Sequence, residues 1–106
     1  MTGDVEVVVL TAAFTARPEC ERDLAAVLAR YVVLARGEPG CRNVDLLSSA
    51  TESGRFVVIE KWESAGDARA HLDTELMTGM AAAAVPLLAA SPAIDLLDTI
   101  SAHDLR

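Results

Sequence analysis

The sequence predicts an α+β domain in which helices cover an antiparallel sheet, and three observations predict it. Two runs rich in β-branched and aromatic residues, Val5 to Phe14 and Arg55 to Trp62, have the composition of strands. Between them Leu24, Val27, Leu28, Tyr31, Leu34 and Ala35 recur at helical spacing. After the second run Ser64 and Thr74 each stand where a helix can begin, one ahead of Ala68, His71 and Leu72, the other ahead of Leu76, Met80, Ala83, Ala84, Leu87 and Leu88.

The elements follow in order. Val5 to Phe14 suits a central strand, with Val5, Val7 and Val9 on one face and Val8 and Leu10 on the other, so both faces are apolar. Pro18 takes a first-turn position, with Glu19 and Glu21 complementing the dipole of the first helix, and Gly37 supplies its C′ stop. Cys41 to Ser49 alternates imperfectly, Val44 and Leu46 facing one way and Cys41, Asn43, Asp45 and Leu47 the other. The turn Thr51-Glu52-Ser53-Gly54 joins it to Arg55–Trp62 as a hairpin. That strand places Phe56, Val58, Glu60 and Trp62 on one face. Ser64 caps the next helix with Asp67 at the capping-box position, so Trp62 and His71 converge on one rim. The following helical piece kinks near Pro86, and Pro92 opens a last strand, Ala93 to Ile100. Strand, helix, strand, strand, helix, strand is the split β-α-β, ferredoxin-like βαββαβ order.

Composition bounds the rest. With 106 residues and 52% hydrophobic content the chain builds one core, a single domain over 1–106. A net charge of −7 without a basic cluster argues against nucleic acid and against an anionic membrane as partners. No positive segment precedes the first apolar run, which argues for a cytoplasmic protein. Leu76 to Ala90 falls short of the roughly 20 residues a bilayer needs and reads as a buried helix. Cys20 and Cys41 read as free packing residues, and with no Gly-rich phosphate loop or ligand cluster neither a cofactor nor a metal is expected. No spare segment can cover the second face of the first strand, so a second copy is the simplest cover and a homodimer is expected.

Candidate chemistry concentrates at Glu60-Lys61-Trp62-Glu63-Ser64 and His71. Trp62 offers a stacking face and an indole N–H; a Trp at a strand end is also an ordinary core residue. His71 carries an imidazole, a group type suited to proton transfer; its plainer role is a hydrogen bond to a neighbour such as Asp67 one turn earlier. Asn43, polar within a strand, is placed to orient a substrate oxygen or to face water. Glu60, flanked by apolar residues, reads as a structural acceptor paired with Arg36 or Arg69. Phe56, Val58, Glu60, Leu72 and Met80 are the expected walls of a substrate pocket, and His103 in the tail is expected to meet solvent.

Ala35-Arg36-Gly37-Glu38-Pro39-Gly40-Cys41, Glu60-x-Trp62-x-Ser64 and His71-Leu72, in that order, resemble the antibiotic biosynthesis monooxygenase family across nearly the whole chain. The resemblance implies a dimeric α/β barrel of two ferredoxin-like subunits packed sheet to sheet, each with a pocket between sheet and helices. It implies oxidation of a phenolic, quinol or anthrone-type substrate to a quinone by molecular oxygen, without metal or flavin, with His71, Trp62 and Asn43 at the site. Val44 replaces the Tyr frequent in the family's second strand. Two other readings stand beside it. One is a non-catalytic barrel that binds a small apolar metabolite. The other is haem degradation, disfavoured because the first strand lacks Asn and no His follows in Ala81 to Ala84.

Overall fold

The computed structural model describes the backbone of residues 4–105 and the side chains of residues 7–102. The chain runs β1 (Asp4–Glu6), β2 (Val8–Thr15), α1 (Glu21–Ala35), β3 (Cys41–Ser48), β4 (Arg55–Trp62), α2 (Ala65–Leu72), α3 (Glu75–Ala84), a 3₁₀ turn (Val85–Leu87), β5 (Ala93–Leu97) and β6 (His103–Leu105). β2 to β5 form one antiparallel sheet in the order β3-β4-β2-β5, and β1 pairs with β6 as a separate ribbon. This is the ferredoxin-like α+β fold that the alternation of strand and helix patterns predicts.

Alternation decides the core. β4 buries Phe56, Val58, Glu60 and Trp62 on its inner face, and β2 buries Leu10, Ala12 and Phe14 beside them. Against these pack Leu24, Leu28, Tyr31, Val32 and Ala35 of α1 and Met77, Met80 and Ala84 of α3. A smaller cluster of Leu10, Trp62 and Ala68 joins the sheet to α2. The opposite face carries half-buried Val9, Thr11, Ala13, Val57 and Ile59, with Leu47 and Leu97 exposed.

Several boundaries depart from the sequence reading. The first strand is broken at Val7 into β1 and β2. The last ends at Leu97 rather than Ile100, and every residue of β5, an edge strand of the sheet, is exposed. Pro18 does not open α1: Cys20 N–H bonds the Arg17 carbonyl, and Glu19 has φ 71°, so Pro18 and Glu19 are the corners of a type II-like turn. A left-handed Glu there is offset by its N–H, which donates to the Glu21 carboxylate at 2.9 Å. Gly37 does not adopt a left-handed C′ conformation; α1 closes with Gly37 N–H on Leu34 and Glu38 N–H on Ala35, and the left-handed residue is Gly40 at φ 78°. The Leu76 to Ala90 stretch is not a buried helix, since α3 stops where Pro86 interrupts it and buries only Met77, Met80 and Ala84, leaving Ala83 exposed. The side chains of Val5 and His103 and all of Met1, Thr2 and Gly3 lie outside the described residues.

The turn at Gly40 fixes how α1 meets the hairpin. Its carbonyl accepts the Glu63 N–H at 2.8 Å, and a Cβ there would overlap the Asp67 carboxyl group. Gly40→Ala therefore strains the backbone and displaces Asp67 from the start of α2, and is expected to lower stability by about 1–3 kcal/mol. Urea unfolding of the variant at matched protein concentration measures it.

Candidate functional site

Four side chains from three elements meet beneath the helices. Glu60 and Trp62, two apart on β4, face the same way, and the Trp62 Nε1–H donates to Glu60 Oε1 at 3.0 Å. From α1 the Tyr31 hydroxyl donates to Glu60 Oε2 at 2.5 Å. His71 on α2 places Nε2 2.6 Å from the same hydroxyl and 3.6 Å from Glu60 Oε1, its ring tilted against Trp62 with centroids 4.5 Å apart. Glu60 is 1% exposed and His71 2%, so this is a polar cluster sealed inside the core.

Capping positions His71. Ser64 Oγ accepts the Asp67 N–H at 3.0 Å and starts α2. Thr74 Oγ1 accepts from Met77 N–H and donates to the His71 carbonyl at 2.7 Å, which ties the end of α2 to the start of α3. The turn after α1 brings Glu38 Oε1 to 3.7 Å from His71 Nδ1, a buried nitrogen with no hydrogen-bond partner among the described residues.

The hydrogen positions follow from counting. Glu60 accepts on both oxygens, from Trp62 and from Tyr31. A hydroxyl has one proton to give, so the short contact between Tyr31 and His71 is an Nε2–H donating to Tyr31 Oη. Burial first, and then the charge and hydrogen bond of Glu60, push the Tyr31 phenol well above its ordinary ionisation range. Burial and Glu60 likewise push the Cys41 thiol up, which suits a half-buried packing residue rather than a nucleophile.

A groove of about 500 Å³ opens between α1 and α3, walled by Val27, Leu34, Leu76 and Met80, with Arg30 and Glu75 also lining it. Tyr31 is the one residue that both lines this groove and belongs to the polar cluster. Among the described residues no three His, Cys, Asp or Glu side chains are grouped as a metal's ligands would be.

Set against the expected residues, the structure brings Trp62, His71 and Glu60 together but walls them in behind Tyr31 rather than setting them on a rim. Asn43 lies on the opposite, exposed face of the sheet and bonds Asp45 at 3.0 Å, so it does not join them. Met80 lines the groove, whereas Phe56 and Val58 are core residues and Leu72 packs half-buried against the core clusters. Glu60 takes no arginine: Arg36 donates to the Val44 carbonyl and Arg69 is exposed. His71 bonds Tyr31 rather than Asp67, whose carboxylate accepts from Ser64. Tyr31 and Glu38 carry no expected role in the sequence reading. Tyr31 had a signal, because the chain's single tyrosine on an apolar helical stripe needs a hydroxyl partner, as Glu60 on an apolar strand needs donors.

Strand order and helix placement make this a ferredoxin-like protein with an acid–base cluster under its helices. The family model for antibiotic biosynthesis monooxygenase matches residues 7–83, and the chain belongs to that family. Its fold is similar to that of Rv0793 from Mycobacterium tuberculosis, with 28% identity, a TM-score of 0.84, and coverage of 91% of this chain and 97% of that one. It is similar also to PA3566 from Pseudomonas aeruginosa, with 28% identity, a TM-score of 0.81, and coverage of 91% and 96%. No curated protein matches the sequence with significance.

Burial and Glu60 raise the Tyr31 ionisation in the folded chain. Because the folded value lies above the ordinary 10.0, its contribution to stability is fully present below about pH 10 and is lost as pH rises beyond it. In an ultraviolet titration the single tyrosine is expected to ionise only as the fold is lost at alkaline pH, and to titrate normally in urea. A reversible tyrosinate signal near pH 10 with unchanged circular dichroism would contradict the buried hydrogen bond.

Proposed function

We propose that this protein is a cofactor-independent monooxygenase that oxidises a phenolic, quinol or anthrone-type aromatic substrate to a quinone with molecular oxygen, working as a cytoplasmic homodimer. The observation that carries the reading is the sharing of Tyr31 between an apolar groove and a buried chain of proton-carrying groups. An electron-rich phenolate reduces oxygen by itself, so the protein needs only to bind the ring, remove its proton and exclude water. The groove's aliphatic walls suit a ring system, and the Tyr31–Glu60–His71 cluster suits the proton transfer.

Family membership supports the same reading. The dimer is supported by the outer sheet face, where Val9, Ala13, Val57, Ile59, Leu47 and Leu97 lie among the polar Thr11, Asn43, Asp45 and Lys61 and no helix of the described residues covers them. Among the described residues no helix is long and apolar enough to cross a membrane.

Oxygen uptake with dihydroxynaphthalene and anthrone substrates tests the activity, and ligand binding without uptake would favour a binding protein instead. Sedimentation at micromolar concentration is expected to give a dimer. Gly79 supplies a sharper test of the groove. It lies on α3, where an added Cβ would meet nothing within 4 Å. Gly79→Leu is expected to raise KM roughly tenfold or more by filling the groove, while thermal stability holds or rises because a mid-helix glycine is removed. An unchanged KM would place the substrate elsewhere.

A further inference from the structure

The buried acceptor Glu60 has no part in a reaction in which His71 alone is the base, yet it is bonded to Tyr31, a residue that also lines the groove. His71 is poorly placed as that base. Its Nε2–H is committed to Tyr31, and its Nδ1 is buried and directed toward Glu38 rather than toward the groove. Tyr31 Oη has a free lone pair after accepting from His71, and its own proton already points at a carboxylate oxygen 2.5 Å away.

We propose that Tyr31 is the residue that accepts the phenolic proton of the substrate, and that Glu60 holds the proton Tyr31 gives up until water is formed. This rests on the monooxygenase reading and assigns its base. In the first step the substrate O–H bond breaks and a new O–H forms on Tyr31, while the original Tyr31 O–H breaks and one forms on Glu60 Oε2. The substrate is left as a phenolate, and Tyr31 is a neutral phenol throughout. That fits a side chain whose ionisation is suppressed by burial and by Glu60, since it never has to be stored as tyrosinate. Oxygen then takes four electrons, two into each of its atoms, and two protons from the substrate overall. One oxygen atom bonds to the ring carbon as the second carbonyl, and the other leaves as water, which receives the proton returned from Glu60 through Tyr31 and the proton lost from the ring carbon. His71 is a positioning residue that holds Tyr31 Oη with its Nε2–H and is itself faced by Glu38.

Other titratable groups stand near the phenol: Arg30 and Glu75 along the groove, Glu38 in the turn, and the neutral Cys41 thiol on β3. A probe that reports its own ionisation separates them from Glu60. 4-Nitrophenol, whose anion is yellow, is titrated with the protein in the absence of turnover at a pH where the free probe is mostly un-ionised. The wild type is expected to raise the ratio of ionised to neutral bound probe by about tenfold or more, as one pKa unit corresponds to tenfold. Glu60→Gln and Tyr31→Phe are expected to abolish the rise while binding persists, and Arg22→Gln, on the exposed side of α1 and outside the groove lining, to leave it in place. Difference infrared spectroscopy of the wild type alone is expected to show a protonated carboxyl band appearing with the bound anion, so the test stands even if a core variant fails to fold. A bound probe that stays neutral, a rise that survives Glu60→Gln, no new carboxyl band, or no binding would each overturn the assignment. An intact rise with no oxygen uptake on any aromatic substrate would leave the proton acceptor standing and overturn the monooxygenase reading.

Discussion

A carboxylate in the middle of a hydrophobic core is the constraint around which this small protein is arranged. Glu60 sits on the inner face of β4 between Val58 and Trp62, where water cannot solvate it. An unpartnered carboxylate there would cost several kcal/mol, a large part of the stability of a domain this size. Partners must therefore be brought to it, and each comes at a structural demand: a Trp two residues along the strand, a Tyr on the inner stripe of α1, and a His at the end of α2. The three helix and strand positions are thereby fixed relative to one another more tightly than apolar packing alone would require, because a hydrogen bond has direction and a methyl contact does not.

The surrounding devices hold these partners in register. Gly40 allows the turn after α1 to lie against the start of α2, which carries Glu38 to the far side of His71. Ser64 and Thr74 cap the two short helices, and Thr74 grips the His71 carbonyl as it does so. Between α1 and α3 the packing is left incomplete, and Tyr31 lines the resulting groove. The proposed proton removal rests on this sharing of Tyr31 between the groove and a preorganised chain of donors and acceptors. Membership of the antibiotic biosynthesis monooxygenase family accords with that use.

Much of the fold was legible in the sequence because it rests on period and punctuation. The alternation of Phe56, Val58, Glu60 and Trp62, the helical stripe of Leu24, Leu28 and Tyr31, and the caps at Ser64 and Thr74 are each local signals, and each proved to be where the pattern put it. Backbone choices were less legible: Pro18 is equally at home in a helix's first turn and at a turn corner, and here the Cys20 N–H on the Arg17 carbonyl with a left-handed Glu19 makes it a corner. The site was half legible. Trp62 and His71 converge as their spacing suggests, but whether they face a cavity or the core depends on Tyr31, forty positions from His71. Asn43 looked functional because polar residues are uncommon in strands, yet an edge strand with an uncovered face accommodates one without any chemistry.

Tyr31 and Glu60 act as a bonded pair around which the core is organised. A double-mutant cycle on stability tests it most directly, comparing wild type, Tyr31→Phe, Glu60→Gln and the double variant by urea unfolding at one protein concentration. A buried hydrogen bond to a charged acceptor predicts a coupling energy of about 1.5–3 kcal/mol, with the double variant less destabilised than the sum of the singles. Losses that add to within about 0.5 kcal/mol would mean the two side chains are merely neighbours, and would contradict the account.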